Sequence, residues 1–505
     1  MNHFHERAPR GVPPLPSRER LVIILVCVSL VWTTWALGGV KLWAQVGSVV
    51  LSFACLLVSV WPSRQNGWAN LRALMRLVPF WLGLFVVAYM IVQVLNPAWV
   101  FERDPGGRML TARQDYIAWL PSGVRAPLGV MDPILMVMVL IPGWMLACSI
   151  WVALRRPKSM RIILWVMVLN VSLFSVVGLF EALTHTTKML WLFERPVLKS
   201  LFWGTIVNPN HAAAFMNIGL GAALALLIHY TRSGARGKEF SKGGAFLMLI
   251  PFSIIILGGV AQAMSRAGIL ATGLIGLTFL AIVFVRVGRL LLISGNRRIT
   301  IAASAAVLMI VAVISVSVGR SIDIKRFIRE MKSLTSVAES PMEDTRYCIN
   351  MASVDLFKMK PAYGWGGGCY RYFIRITQRD YPSLMPGRYN LNLVYAHNDY
   401  MNYLCDLGVV GAVPLGMFVF GPVFFVIAFR RRGVDSFVVM GLACIGATML
   451  HAAVEFFMQH PLVVMQFSIF LACLTQTADR RHFMPGGSHW ITTESGDRSD
   501  LSGVS

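Results

Sequence analysis

Three side chains in this sequence are of the types that proton transfer and anion binding require. His397 lies in residues 394–411, VYAHNDYMNYLCDLGVVG, at the start of a glycine-punctuated apolar run. A neutral imidazole can accept a proton from a hydroxyl nucleophile near neutral pH. Arg266 lies in AQAMSRAG and Arg346 in EDTRYC, and the planar fork of an arginine binds phosphate oxygens in a bidentate way. These types indicate proton transfer beside a bound phosphate, provided that the fold brings them together.

Each of these residues also has an ordinary structural explanation. His397 can simply precede a helix that Asn398 or Asp399 caps, and Arg266 can extend towards lipid headgroups at a membrane boundary. Arg346 is one of many basic residues in a polar loop, and most such residues are solvated. The residue types leave both explanations open, so the elements that position the side chains must decide between them.

The composition is that of an all-α polytopic membrane protein. Hydrophobic residues make up 56% of the 505 residues and charged residues 14%, whereas a soluble chain has roughly 25% charged residues. The mean hydropathy is +0.63, and apolar runs of about 20 residues recur along most of the chain. These runs predict about twelve transmembrane helices, near residues 20–38, 42–61, 77–96, 130–154, 161–180, 209–229, 245–262, 267–287, 299–319, 407–429, 435–455 and 461–478.

The net charge of +22 follows from membrane topology and does not indicate nucleic-acid binding. Much of the positive charge lies in alternate short loops, and the positive-inside rule places these loops and both termini in the cytoplasm. The domain boundaries predicted on this basis are a cytoplasmic N-terminal tail at 1–19, helices one to nine at 20–319, a large loop on the outer face at 320–406, helices ten to twelve at 407–478, and a disordered cytoplasmic tail at 479–505.

The large loop at 320–406 is predicted to be partly helical. Residues 322–334 form an amphipathic pattern that can lie on the outer leaflet or pack on protein. A second helix is predicted at 345–359, ending before Pro361. The glycine-rich residues 364–368, GWGGG, then permit a tight turn or a close approach of the backbone to a ligand.

The predicted topology brings the candidate residues to one face of the membrane. His397 and Arg346 lie in the large loop, and Arg266 lies in a very short turn between two spans on the same side. Glu455 and His460 flank the last turn on that side and can line a cavity. The eight cysteines are scattered without CxxC spacing, so no metal site is expected.

Five short motifs follow one another in a fixed order. They are NPNHAAAF at 208–215, SRAG at 265–268, TRYC around Arg346, P-x-x-G-W-G-G-G at 361–368 and AHNDYMNYLCDLGVVG at 396–411. Together they resemble the O-antigen ligase and O-antigen polymerase superfamily of bacterial envelope glycosyltransferases. The resemblance covers roughly residues 200–430 by motif and the rest by topology. Each motif alone is nonspecific, but the five in this order make the resemblance fairly specific.

The resemblance implies transfer of a glycan from undecaprenyl pyrophosphate to an acceptor hydroxyl at the periplasmic face. A ligase uses lipid A-core as acceptor, whereas a polymerase uses another lipid-linked repeat unit. Arg266 and Arg346 would bind the pyrophosphate and His397 would activate the acceptor hydroxyl, with inversion at the anomeric carbon and with no metal or cofactor. Further residues expected to line the cavity are Asn208, Asn210, Gly366, Gly368, Asn398, Asp399 and Asp406.

The role of Asp406 and the class of activity stay open. Family members often carry a glutamate before the glycine that follows the histidine, whereas this chain has Asp406, Leu407 and Gly408, so the role of Asp406 is undecided. A solute transporter of the same superfamily is an alternative of another class. A transporter is expected to hold polar groups near the membrane midplane on broken helices, and the clustering of the candidates at the outer ends favours an enzyme.

Overall fold

The computed structural model describes residues 15–62, 67–103, 109–194, 204–234, 243–294, 344–385, 393–428 and 435–478. Most of these residues are helical. The helices are α1 (Ser17–Trp35), α2 (Leu42–Val60), α3 (Ala69–Met75), α4 (Val78–Leu95), α5 (Pro133–Ala153), α6 (Pro157–Leu183), α7 (Pro209–Gly234), α8 (Gly243–Ala263), α9 (Arg266–Ser294), α10 (Thr345–Met359), α11 (Tyr370–Gln378), α12 (Asp399–Ala428), α13 (Ser436–Ala452) and α14 (Pro461–Ala478).

A polytopic, mainly helical membrane protein is confirmed. In the described part of the chain, eight helices are long and apolar enough to cross a membrane, namely α2, α4, α5, α6, α7, α9, α12 and α14. Helices α8 and α13 contain shorter apolar segments, and α1 coincides with the first predicted span. The ninth predicted span at 299–319 and the amphipathic segment at 322–334 lie outside the described residues, so the number twelve stays a prediction.

A buried carboxylate ties α1 to α6 at the end of the bundle where α6 begins. The Glu19 side chain accepts hydrogen bonds from the backbone N–H groups of Arg155 and Arg156, both at 3.1 Å, and from the Ser159 hydroxyl. Glu19 therefore fixes the residues just before α6, and the Ser159 side chain in its first turn, to α1. These contacts lie far along the bundle from the start of α7.

Residues 97–125 form a small sheet that the sequence analysis did not predict. Strand β1 (Pro97–Arg103) pairs antiparallel with β2 (Met109–Arg113) and parallel with β3 (Gly123–Arg125). A second, two-stranded sheet joins β4 (Lys188–Met189) to β5 (Phe193–Glu194). The strands are short and lie between much stronger apolar runs, so their pattern is lost in the helical signal.

The first sheet and helices α10 and α11 pack into one unit, here called the loop unit. Its apolar core is separate from the core of the helix bundle and includes Phe101 and Val124 from the sheet and Leu356, Trp365 and Phe373 from the large loop. The predicted helix at 345–359 is confirmed as α10. The two loops thus meet at one end of the bundle, as alternation of the loops across a membrane requires.

The glycine-rich turn of the large loop docks onto a break in α12. Residues 361–368, here called the glycine loop, meet the break at Gly408, whose φ of 60° and ψ of −174° are not helical. The backbone N–H groups of Trp365 and Gly366 donate to the carbonyls at 405 and 406, both at 2.8 Å. In return, Val409 and Val410 donate to the carbonyls at 361 and 362. Helix α12 begins at Asp399, eight residues before the predicted span at 407–429. Its break at Gly408 lies where that span was predicted to begin.

Helix α4 holds this junction through two polar side chains. The Tyr89 hydroxyl lies 2.8 Å from the carbonyl oxygen of Tyr363 and 2.9 Å from that of Leu407. Gln93 accepts a hydrogen bond from the backbone N–H of Gly367 at 3.0 Å. Both side chains are buried. Polar residues inside an apolar span thus satisfy backbone groups that the break leaves unpaired.

Replacing Tyr89 by phenylalanine tests this junction. The substitution keeps the ring and removes the hydroxyl beside two carbonyls, and we expect it to destabilise the fold by about 1–3 kcal/mol. The measurement is the midpoint of thermal unfolding of the purified protein in detergent. Tyr400→Phe is the control because Tyr400 also donates to a carbonyl, that of Met449, but from an exposed position. Equal shifts in the two variants would contradict the role assigned to Tyr89.

Candidate functional site

The structure brings Arg346, His397 and Asn210 to one buried carboxylate. Glu455 lies in the turn between α13 and α14, and its side chain is 1% exposed. Its Oε1 atom is 2.7 Å from Nη2 of Arg346 and 2.7 Å from Nδ2 of Asn210. Its Oε2 atom lies 3.6 Å from Nδ1 of His397. Residues from α7, α10 and the segment before α12 thus converge on a single carboxylate in the turn after α13.

The backbone around His397 is fixed by contacts to the Glu455 turn. The N–H of Asp399 donates to the carbonyl of Glu455 at 3.1 Å, and the Asp399 side chain accepts from the N–H of Met458 at 2.9 Å. Asn398 caps α12 by accepting from the N–H groups of Tyr400 and Met401. The capping explanation considered for Asn398 therefore holds, and it leaves His397 outside the helix.

His397 itself has left-handed backbone geometry, with φ of 50°. Such a conformation is uncommon for residues other than glycine and persists where the surroundings impose it. The surroundings here are aromatic. The Phe456 ring stacks on Tyr395 at 4.4 Å between centroids and meets the edges of His397 at 4.8 Å and His211 at 4.6 Å. The imidazole of His397 is thus oriented by a ring on one side and by a carboxylate on the other.

Arg346 lies in the first turn of α10, directly after the helix cap. Asp344 caps this helix by accepting from the N–H of Tyr347 at 2.7 Å. The Arg346 side chain is 50% exposed, whereas the Glu455 side chain with which it forms an ion pair is buried. Part of the guanidinium therefore faces solvent and can bind a further anion, since arginine carries five N–H donors.

Arg266 is the first residue of α9 and follows a tight turn with Met264 at φ of 52°. The SRAG motif has a packing role around it. Ser265 accepts from the N–H of Gly268 at 3.1 Å, and a Cβ on Gly268 would lie 2.6 Å from that of Ala213. Because Ala213 is one turn from Asn210 on α7, Arg266 lies at the same end of the bundle as Glu455. The structure leaves its side chain partly buried.

The remaining predicted cavity residues fall into two groups. Asn208 caps α7 by accepting from the N–H of Asn210 at 2.9 Å, beside Glu455. Gly366 and Gly368 instead belong to the glycine loop, and Asp406 fastens that loop. The Asp406 carboxylate accepts from the N–H of Tyr370 at 2.8 Å and from the Asn402 side chain at 2.9 Å. These contacts give the aspartate that was left open a positioning role at the start of α11.

The electrostatics favour an ionised Glu455. Burial raises the pKa of this carboxyl, but interaction with His397 and the positive charge of Arg346 outweigh it, and the pKa lies below its ordinary value. Burial lowers the pKa of His460, which is close to His211, to about 4, so this imidazole is neutral at neutral pH. At neutral pH the site therefore holds a carboxylate, a guanidinium and at least one neutral imidazole.

A large apolar cavity reaches this region from within the bundle. Its volume is about 1030 Å³, and it runs between α4, α5, α12 and α14. Asp399, Tyr400, Tyr403 and Met458 line it at the end near His397, and Arg76 lines it at the other end. In the described ranges, no three His, Cys, Asp or Glu side chains converge as metal ligands.

Glu455 is the residue whose importance the sequence analysis underestimated. It was noted there only as flanking a short turn and able to line a cavity. The available signal was an acidic residue directly before the short predicted turn at 456–460. This turn lies on the face of the membrane that also carries Arg266, Arg346 and His397. What the sequence could not supply was the pairing, because Arg346 and Glu455 are 109 residues apart.

Comparison with known proteins agrees with the motifs. Residues 251–416 match the model of a protein family described as O-antigen ligase. The match includes the SRAG motif, Arg346, the glycine loop and His397, and it ends before Glu455. No curated protein matches the chain in a sequence search. The resemblance to the O-antigen ligase and O-antigen polymerase superfamily is therefore confirmed, and it is carried by residues 251–416.

Proposed function

We propose that this protein transfers a glycan from undecaprenyl pyrophosphate to an acceptor hydroxyl at the periplasmic face of the bacterial inner membrane. The observation that carries the proposal is the convergence of Arg346 and His397 on Glu455. A phosphate-binding side chain and a proton acceptor are thereby held within one small site at the end of a helix bundle. We take ligase-like transfer as the primary form because the matched family is described as O-antigen ligase, and lipid A-core is the acceptor that we propose.

The chemistry requires few groups because the sugar–pyrophosphate bond is already activated. Arg346, through its exposed face, and Arg266 bind the pyrophosphate and stabilise the charge that grows on it as the bond breaks. His397 accepts the proton of the incoming hydroxyl. Positioning and electrostatics supply the rate enhancement, so the reaction is a single displacement with inversion at the anomeric carbon and without a metal.

The apolar cavity suits a substrate whose carrier is a long lipid. A cavity of about 1030 Å³ is at the upper end of the range for ligand pockets, and its walls are mostly aliphatic and aromatic. Its end at Asp399 and Tyr400 lies two or three residues from His397 in the chain. An isoprenoid chain in this cavity would bring its pyrophosphate to the site.

The experiment uses purified protein in lipid nanodiscs with a defined undecaprenyl-pyrophosphate glycan and lipid A-core. Glycosylated lipid A-core, together with released undecaprenyl pyrophosphate, supports the ligase. Longer lipid-linked glycans formed without lipid A-core indicate the polymerase instead. If neither product forms while the protein takes up a solute into proteoliposomes, the transporter alternative replaces the proposal.

Arg346→Ala provides a quantitative test of pyrophosphate binding. Loss of a charge-assisted contact to phosphate should raise the KM for the donor roughly ten- to hundredfold, with a smaller effect on the KM for the acceptor. Steady-state kinetics in the nanodisc assay measure both constants. Arg375→Ala is the control because Arg375 lies on α11 in the loop unit, away from the Glu455 contacts. A donor KM that is the same in wild type and Arg346→Ala would contradict the assignment.

A further inference from the structure

We propose that Glu455 couples donor binding to the activation of His397 by passing from Arg346 to the histidine when the pyrophosphate binds. The inference rests on the proposed function and assigns to Glu455 a positioning role, because the carboxylate acts through His397 and Arg346 and does not touch the reacting atoms.

The two oxygens of Glu455 are used unequally in the structure. Oε1 accepts two hydrogen bonds at 2.7 Å, from Arg346 and from Asn210. Oε2 is buried and has no hydrogen-bond partner among the described residues, and Nδ1 of His397, which is also buried, has none either. A buried polar atom without a partner costs about 1–3 kcal/mol. Two such atoms facing one another across 3.6 Å are therefore poised to pair.

The distance to be closed is small. Hydrogen bonds from nitrogen to oxygen have lengths of about 2.7–3.2 Å, so a movement of about half an ångström would convert the His397–Glu455 contact into one. The ion pair with Arg346 holds the carboxylate on the other side. Any anion that draws the guanidinium away releases the carboxylate towards the histidine. The donor pyrophosphate is the anion that Arg346, half exposed, is placed to receive.

The consequence for the reaction follows from the proton positions. With Nδ1–H donated to Glu455, the Nε2 atom of His397 is the acceptor and becomes more basic. It takes the proton of the acceptor hydroxyl as the new glycosidic C–O bond forms. The C–O bond to the pyrophosphate breaks, and undecaprenyl pyrophosphate leaves with the electron pair. The imidazolium is then stabilised by Glu455, so the full base strength of His397 develops only when the donor is present.

Other titratable groups surround the pair and are common to all variants used to test it. His451 of α13, His211 of α7 and Asp399 of α12 interact electrostatically with members of this cluster. Arg346 is the cation that faces Glu455 directly. These groups remain present when residue 455 is substituted, so a shift in the pH dependence between variants originates in the loss of the carboxylate.

The test compares wild type with Glu455→Gln in the nanodisc assay, by pH-dependence of kcat and by equilibrium binding of undecaprenyl pyrophosphate. We expect kcat to fall roughly 10- to 100-fold while binding is unchanged or tighter, because Arg346 loses its competing carboxylate. The acid limb of the kcat profile should move to lower pH by about one unit, since removing a neighbouring negative charge disfavours the imidazolium. A merely structural role predicts weaker binding and an unmoved limb.

Two further variants keep the test decisive. Glu455→Asp retains the charge, so the acid limb of its kcat profile should stay at the wild-type position even if its turnover falls. This variant also provides the test if Glu455→Gln does not fold. Glu19→Gln is the matched control, because it neutralises a buried carboxylate at the opposite end of the bundle and should leave the profile of the folded fraction unchanged. Wild-type transfer with an unmoved limb in Glu455→Gln overturns the coupling alone. Absence of transfer in the wild type overturns the proposed function and, with it, the coupling.

Discussion

Replacing His397 by alanine should reduce glycan transfer by at least about a hundredfold, with little change in donor binding. General base catalysis contributes roughly 10²- to 10⁴-fold to a rate, and among the described residues His397 is the imidazole that faces Glu455, at 3.6 Å. The expected split, a lower kcat with a similar donor KM, distinguishes a base from a binding residue. The measurement is steady-state transfer in nanodiscs, supported by surface glycan of a deletion strain carrying the variant.

The control for this substitution is His185→Ala. His185 is exposed and has φ of 47°, so it shares with His397 the residue type and the left-handed backbone but lies in another loop. The comparison cancels the cost of placing alanine in a left-handed conformation. Normal transfer by folded His397→Ala would remove the base from the mechanism. Loss of transfer in both variants would indicate that backbone geometry, and not the imidazole, accounts for the effect.

Replacing Gly408 by alanine should cause a large loss of stability. The φ of 60° and ψ of −174° belong to a region that is essentially restricted to glycine and costs other residues about 1–3 kcal/mol. A Cβ at this position would also overlap the carbonyl oxygen of Ala362, so the glycine loop must move away and its hydrogen bonds to α12 are broken. We expect a total above about 3 kcal/mol and a marked fall in folded protein.

The measurement for Gly408→Ala is the amount of monodisperse protein recovered in detergent and its thermal midpoint. Gly446→Ala is the control, since Gly446 lies within α13 and a Cβ there meets no atom within 4 Å. Alanine favours a helix interior over glycine by roughly 0.5–1 kcal/mol, so this control should be neutral or stabilising. If both variants behave alike, the close approach at Gly408 is not what holds the glycine loop.

The sequence predicted those features that depend on local pattern. Helix α10 begins and ends where the run from Thr345 to Met359 and the following Pro361 indicated, and the apolar runs located the spans. Asn398 was correctly considered as a cap. These predictions succeeded because helical periodicity, capping and proline act within a few residues of one another. The family resemblance was also readable, because the motif residues are contiguous.

The sequence could not predict the features that depend on distant contacts. The start of α12 was placed at 407 because the apolar run begins there, whereas Asp399 starts the helix and Asp406 accepts a hydrogen bond from Tyr370 of the loop unit. The pairing of Glu455 with Arg346 joins residues 109 positions apart. The glycines of the GWGGG stretch read as a tight turn or a ligand contact, and only the structure shows that they pack on another backbone.

The break in α12 also has a consequence for how the protein is assembled in the cell. Backbone groups that reach the hydrocarbon layer unpaired cost several kcal/mol each, and those on either side of Gly408 are paired with the glycine loop and with Tyr89 of α4. The ribosome makes α4 and residues 361–368 before it makes the segment that follows residue 408. The hydrogen-bond partners of the break are therefore already synthesised when the second half of α12 emerges, so its unpaired backbone groups can be paired as soon as it inserts.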